Sequence, residues 1–267
     1  MDSKTRIPLH TGRRMPVLGL GTWKLTHETA ATVEAAIEAG YRMIDTAVDY
    51  GSQQGIGVAI RNSGITRDEL YVVSKIEEDD DPRQGVERDL AEMQLDYADL
   101  TLIHRPPPGG PGESLWRGLI AAQEDGLVRD IGVSNYSAAL VDDLVRETGV
   151  TPVVNQVEWS PLGHDESLFE HHGEKGIVIQ AYSPLTRAEK LDDRNLGEVA
   201  RSYGKTPAQI MLRWNLQRGT VPLPKANRRE HFLENLDIFD FEISAEDMKA
   251  LDALDRNYSA LGGLAYV

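Results

Sequence analysis

Four residues along this chain could do acid–base chemistry together: Asp45, Tyr50, Lys75 and His104. A phenol holds its proton until pH about 10, so Tyr50 becomes a general acid near neutrality only when a neighbour eases the proton's release. Lys75 has the right charge for that, and Asp45 would pair with it to keep it charged and aimed. The set suits an oxygen that gains negative charge during reaction. A carbonyl oxygen does so when hydride reaches its carbon, and a donor placed there in advance lowers the barrier. His104, read as a neutral imidazole, would donate the hydrogen bond that orients that oxygen. Each residue also has a plainer reading: an Asp or Tyr in a loop serves turns, a lysine forms surface ion pairs, a histidine packs in a core. What favours chemistry is that they fall at the same kind of place.

That place is the carboxyl end of a strand. Met43 and Ile44 read as the tail of a short buried strand that hands over to the loop carrying Asp45 and Tyr50. Leu70 to Ser74 reads as the next and ends in Lys75, and Leu100 to Ile103 ends in His104. Further strands fall near 130–133, 153–157, 177–181 and 220–223, and a first one at Leu18 to Gly21 precedes a helix from Glu28 to Ala39 stopped by Gly40. Alternation with helical segments implies parallel strands, whose connections need a dozen or more residues. Eight such strands predict a (β/α)8 barrel, an α/β fold whose active site lies in the loops at the strands' carboxyl ends. An open doubly wound sheet competes with it. Gly19-Leu20-Gly21 and Gly55-Ile56-Gly57, however, lack the third glycine and the strand-to-helix setting of a dinucleotide fingerprint. Ahead of the barrel, Arg6 to Leu9 and Met15 to Leu18 flank a turn at Gly12 and read as a β-hairpin. The acidic stretch Glu77 to Pro82 and the Pro/Gly-rich stretch Pro106 to Gly112 follow site residues and are expected to wall the mouth.

The 267 residues, 40% of them hydrophobic, match the usual size of one barrel, and no linker or repeat divides residues 1–267, so a single domain is expected. The absence of cysteine rules out disulfides, thiol nucleophiles and Cys-ligated metals. A net charge of −15 argues against nucleic acid and anionic membranes as partners, and requires a local basic pocket for any anionic ligand. Met1 to Pro8 lacks the apolar core of a signal peptide and no run approaches the roughly 18 apolar residues of a membrane span, so the chain reads as cytoplasmic. Of seven histidines only His171 and His172 adjoin. Neighbours on a helix point about 100 degrees apart, so the pair reads as surface and no metal is expected.

At Asp45, Tyr50, Lys75 and His104 the sequence resembles the aldo-keto reductase family, and the resemblance runs over nearly the whole chain. It is similar there to the small bacterial members that reduce diketo-sugar acids and short aldehydes or ketones. The resemblance implies a TIM barrel whose hairpin closes the bottom, a monomer, and reduction of a small aldehyde, ketone or keto (sugar) acid to an alcohol. Tyr50 is then the proton donor and NADPH the cofactor. Ser134 and Asn135 of Gly132-Val133-Ser134-Asn135, with Gln156 of Asn155-Gln156-Val157-Glu158, are implied to hold the nicotinamide carboxamide, and Tyr182 to stack on its ring. Gly21, Thr22, Trp23, Ser183 and Leu185 join the same cofactor site. Lys225, Arg228 and His231 fall to the adenosine end and its 2′-phosphate, where cations at a helix N-terminus suit an anion, and Glu234 and Asn235 to the adenine. Trp23, Val48 and Arg105 border the substrate pocket. By residue type alone, Ser134 reads equally as a helix cap, Gln156 as a barrel-interior polar group, and Tyr182 and Trp23 as packed core.

Three departures from the family pattern carry consequences. His231 stands where an arginine is usual, and imidazole is mostly neutral near pH 7 while guanidinium is always charged and forked, so a weakened preference for NADPH and some use of NADH are expected. Arg105 stands where a tryptophan is common, and Ile76-Glu77 lacks the usual aromatic after the lysine. A cation in place of an indole favours a keto acid or keto sugar acid over a steroid. The tail after Asp255 is short, and Ala260 to Val267 reach the mouth at most lightly. Two other classes remain open: a nucleotide-binding regulatory or redox-sensing barrel without turnover, and a metal-dependent barrel hydrolase.

Overall fold

Among residues 2–25 and 27–266, which the computed structural model describes, ten strands form two sheets. Strands β1 (Arg6–Pro8) and β2 (Arg14–Pro16) pair antiparallel, with Ile7 opposite Met15. The other eight run parallel in chain order: β3 (Leu20–Gly21), β4 (Met43–Asp45), β5 (Tyr71–Ile76), β6 (Ala98–Ile103), β7 (Val128–Ser134), β8 (Val154–Glu158), β9 (Val178–Tyr182) and β10 (Val221–Leu223). The helices between and after them are α1 (Thr29–Ala39), α2 (Gln53–Asn62), α3 (Pro82–Met93), α4 (Glu113–Glu124), α5 (Ala138–Thr148), α6 (Glu166–Lys175), α7 (Arg194–Ser202), α8 (Pro207–Arg218), α9 (Arg229–Leu236) and α10 (Ala245–Asp252). The expected eight-stranded barrel with an N-terminal hairpin is the fold. Residues of β5 and β6 are buried throughout, as a parallel sheet covered on both faces requires.

The circle closes along a seam with one-way hydrogen bonding. The amides of Gly19 and Gly21 donate to the carbonyls of Pro222 and Pro224 at 3.1 and 3.2 Å. Neither proline can donate in return, and this is why the first strand is shorter than the run Leu18 to Gly21 suggested. Glycine is needed here for close approach: a Cβ on Gly21 would lie 2.9 Å from the Leu223 carbonyl oxygen. At the opposite end the hairpin seals the barrel. Met15 is fully buried among Met43, Leu100, Val154 and Leu223, and its sulfur accepts a hydrogen bond from Gln180 Nε2 at 3.1 Å. No helix of the described residues is long and apolar enough to cross a membrane.

The His171–His172 pair on α6 is not the surface feature that its helical spacing suggested. His172 is completely buried, and a directed chain fixes both rings: Asn155 Nδ2 donates to His172 Nε2 at 2.9 Å, leaving His172 Nδ1 to donate to His171 Nδ1 at 3.0 Å. His171 Nε2 in turn donates to Asp142 Oδ1 at 2.9 Å. Burial lowers the pKa of His172 from 6.5 to about 4. The folded ring therefore stays neutral where the unfolded one takes a proton, so stability present above pH about 6.5 is lost as pH falls toward 4. Buried Asp89 acts in the opposite sense, because desolvation raises its pKa to about 6 and folding is favoured as it protonates. Replacing His172 by glutamine should remove the first effect alone. Between pH 7.5 and 4.5 the stability gap between wild type and His172→Gln should narrow by roughly 2–3 kcal/mol in urea unfolding; a gap independent of pH would refute the neutral burial of His172.

Candidate active site

Successive strand ends bring the four chemical residues to one rim. Asp45 is the last residue of β4, Lys75 the penultimate of β5, and His104 follows β6 directly. Lys75 is fully buried, and its Nζ donates to Asp45 Oδ1 and to the Thr46 carbonyl, both at 2.8 Å. Burial opposes its charge, but Asp45 and Tyr50 beside it outweigh burial and hold its pKa above the ordinary value. Tyr50 reaches this pair through one short 3-10 turn, Val48–Tyr50, ended by Gly51 in the left-handed region at φ 65°. A buried set of hydroxyls fixes that turn: Ser52 Oγ lies 2.9 Å from Thr46 Oγ1 and 3.0 Å from Thr22 Oγ1. Lys75 Nζ sits 5.0 Å from the Tyr50 ring centre, and the His104 ring meets Tyr50 edge-on with centroids 5.9 Å apart. Desolvation dominates the phenol and raises its pKa, with Lys75 pulling it down and Asp45 and Asp49 adding to the rise. The simple depression expected from Lys75 is therefore outweighed, and Tyr50 holds its proton at neutral pH.

Outside this buried core lies a charged wall that sequence spacing did not reveal. Arg105 Nη1 binds Glu77 Oε2 at 3.0 Å and approaches Glu78 at 3.5 Å, while its Nη2 lies 3.5 Å from Asp49. His104 Nδ1 lies 2.8 Å from the other Glu77 oxygen. Arg105 is thus already met by three carboxylates and does not offer the free cation expected for a carboxylate substrate. Ligand atoms of Asp49, Glu77 and His104 lie within 4.8 Å of one another, but the Arg105 guanidinium already bridges the two carboxylates. Of the acidic stretch, no residue lines the cleft itself; Glu77 and Glu78 stand behind Arg105, which does. Of the second irregular stretch, Pro106 lines it, while the Pro111 carbonyl turns away to accept from Tyr136 Oη at 3.0 Å.

Three of the four, Asp45, Tyr50 and His104, border a cleft of about 1010 Å³ that runs from Tyr50 and His104 past the ends of β7 and β9 to α9. Gly21, Trp23, Ser134, Asn135, Tyr182, Ser183 and Leu185 line its middle, and Lys225, His231, Glu234 and Asn235 its far end. Tyr182 is braced on the wall, its hydroxyl donating to Asn135 Oδ1 at 2.8 Å, while Asn135 Nδ2 donates to the His104 carbonyl at 3.1 Å. At the far end partial burial and nearby Lys24 lower the pKa of Lys225, a like-charge pair without a counter-ion among the described residues of a strongly acidic protein. Arg228 donates to His231 Nε2 at 3.2 Å. These features fit a dinucleotide: the volume sits at the top of the range for cofactor sites, with amide groups at one end and unneutralised cations at the other.

Five of the sequence candidates do not line the cleft. Thr22 is buried behind it, its hydroxyl on the Asp45 carbonyl at 2.8 Å. Lys75 lies beneath Tyr50, Val48 is in the turn, and Arg228 stands outside on the surface. Gln156 Nε2 donates to Asp45 Oδ1 at 2.7 Å and to Gln180 Oε1 at 3.0 Å, and so steadies the Asp45 carboxylate. Sequence reasoning missed Asp49, Glu77 and Arg187. The Arg187 guanidinium lies 4.2 Å from the Trp23 ring centre and Lys24 Nζ 4.3 Å, so two cations cover that indole. Ser183, Thr186, Arg187 and Ala188 all adopt positive φ without a glycine, a signal invisible in composition. The tail does reach the mouth, more firmly than expected: Leu261, Gly263 and Ala265 line the cleft, and Ala260 N donates to Glu158 Oε1 at 2.8 Å. Val267, the end of that expected segment, lies outside the described residues.

The family model of the aldo/keto reductases matches residues 17–256, and the chain belongs to that family. It is an oxidoreductase of a family that uses a nicotinamide cofactor. The glyoxal reductase of Bacillus subtilis is 40% identical over 260 residues, covering 95% of this chain and 94% of that one. The methylglyoxal reductase DkgA of Escherichia coli K12 is 38% identical over 262 residues, covering 96% and 95%. Among solved structures, a Bombyx mori aldo-keto reductase in complex with NADP superposes with a TM-score of 0.91 at 33% identity, covering 97% of this chain and 95% of that one.

Proposed function

We propose that this protein reduces the carbonyl of a small neutral aldehyde or ketone, of the glyoxal and methylglyoxal class, to the alcohol, with NADPH as the main cofactor and NADH accepted. The observation that carries the reading is the Asp45–Lys75 pair under Tyr50 at the inner end of a cleft whose outer end holds Lys225 and His231, with Arg228 against His231 from outside. The reduced nicotinamide, when bound, supplies the hydride. Tyr50 gives its proton to the carbonyl oxygen as that oxygen becomes an alkoxide, which is more basic than a phenolate even with the phenol's pKa raised by burial. Lys75 stabilises the phenolate left behind, Asp45 and Gln156 hold Lys75 in place, and solvent restores the proton. Ser134 and Asn135 suit the carboxamide, Tyr182 the ring face, Gly21 and Trp23 with Ser183 and Leu185 the middle of the cofactor, and Glu234 and Asn235 the adenine. Trp23 and Arg105 border the substrate.

Substrate class follows from the charged wall. Three carboxylates around one guanidinium leave a net negative rim, which repels keto acids and admits neutral dicarbonyls. The names of the Bacillus and Escherichia relatives agree with that class.

Fluorescence titration with NADPH and NADH, followed by the decay of nucleotide absorbance on adding glyoxal, methylglyoxal, simple ketones and keto acids, tests the reading. Decay with the dicarbonyls ahead of the keto acids is expected. Binding without decay on any carbonyl would mark a regulatory barrel instead. In the same assay His231→Arg should bind NADPH about tenfold more tightly with NADH unchanged, because a guanidinium makes a forked, charged contact to phosphate that a neutral imidazole does not.

A further inference from the structure

We propose that Glu77 is a positioning residue for His104, holding the Nδ1 proton so that the ring must be an imidazolium whenever its Nε2 donates to the substrate oxygen. This rests on the carbonyl-reductase reading above and replaces the neutral His104 expected from sequence. The register makes the two residues neighbours: Ile76 of β5 pairs with Ile103 of β6, so Glu77 and His104 are the next residues on adjacent strands, with the His104 amide on the Ile76 carbonyl at 2.9 Å. Both Glu77 oxygens are engaged, one by His104 Nδ1 at 2.8 Å and the other by Arg105 at 3.0 Å, and its amide donates to Asp80 Oδ2 at 2.9 Å. Burial works to raise the pKa of Glu77, but His104 and Arg105 outweigh it and lower it, so Glu77 is a carboxylate near neutrality. A carboxylate only accepts. Nδ1 therefore carries the hydrogen.

The other nitrogen, Nε2, has no hydrogen-bond partner among the described residues, and the His104 side chain borders the cleft beside Tyr50. On a neutral ring protonated at Nδ1, Nε2 is a bare lone pair. A carbonyl oxygen is an acceptor too, and two acceptors do not bond. Donation from Nε2 thus needs a second proton on the ring. Glu77 lies against the ring, and Asp49 Oδ1 approaches Nδ1 to 4.0 Å from the loop after β4. The opposing cations are compensated, Arg105 by Glu77, Glu78 and Asp49, and Lys75 by Asp45. Tyr50 and Asn135, the other polar neighbours, are neutral. The imidazolium so formed donates a hydrogen bond to the oxygen that Tyr50 protonates in the reading above.

Full-length protein labelled with 15N-histidine, titrated by long-range 1H–15N NMR, reads the ring directly. The pH profile of kcat/KM reads its consequence. We expect the neutral wild-type ring as the Nδ1–H tautomer. In Glu77→Gln the alkaline limb of kcat/KM should move about one pH unit lower, the scale of losing one adjacent opposite charge. That amounts to roughly a tenfold loss at pH 8, with the NADPH affinity within about twofold of wild type. Glu77→Asp, which keeps the charge, should restore most of the loss, and it carries the test if the glutamine variant does not fold. An Nε2–H tautomer in the wild type, or an unmoved limb in Glu77→Gln, overturns the proposal. A wild type that consumes no NADPH with any carbonyl at any pH overturns the reductase reading instead, and the NMR tautomer still decides the Glu77 pairing.

Discussion

Replacing Tyr50 with phenylalanine is expected to lower kcat by at least about 100-fold, the lower end of what a positioned general acid contributes. The nucleotide Kd should stay within about twofold, because the ring and its packing remain. A factor of 100 corresponds to about 2.7 kcal/mol of transition-state stabilisation. It is assigned to the Tyr50 hydroxyl as the proton source because Lys75 is buried beneath and committed to Asp45 and the Thr46 carbonyl, while in the proposed arrangement His104 orients the oxygen by a hydrogen bond. Stopped-flow reduction of methylglyoxal at saturating NADPH measures the chemical step. A variant that keeps more than a tenth of the wild-type rate would move proton donation to another group.

The second large effect is on the fold as well as on the reaction. Lys75→Met should abolish turnover and also destabilise the protein by about 3–5 kcal/mol, because it strands a buried carboxylate. Asp45 would keep only the Gln156 amide, at 2.7 Å, against its charge. Adding Asp45→Asn to Lys75→Met should recover part of the stability and none of the activity, since the charge left without a partner is then gone. Urea unfolding of the two single variants and the double variant gives the coupling. Strict additivity would mean that Asp45 and Lys75 do not act as a pair. Intact turnover in the lysine variant would remove Lys75 from the chemistry.

The comparison of sequence with structure separates two kinds of information. Apolar runs ending in single polar residues were enough to find the strands and to put Asp45, Lys75 and His104 on one rim, because burial on both faces leaves few other places for such residues. The pairing of Glu77 with His104 was not legible. It depends on lateral register between β5 and β6, which brings together residues 27 positions apart in the chain. The neutralisation of Arg105 depends on two loops as well as its own, so its charge was visible and its partners were not. His171 and His172 misled for a related reason: helical spacing tells that the two rings diverge, and only the packing of α6 against the Asn155 side chain tells which one is buried. The left-handed residues of 183–188 carry no glycine to announce them.

The seam between β3 and β10 has a mechanical meaning. A barrel whose strands exchange bonds in both directions resists opening equally all round, whereas one closed by two glycine amides on two proline carbonyls has a single slack link. That link is not remote from the cleft: Gly21, Leu223, Pro224 and Lys225 line it. A ligand lying across Gly21 and Leu223 would bridge the two edges of the ring and tie its own binding to the closure of the barrel at this point.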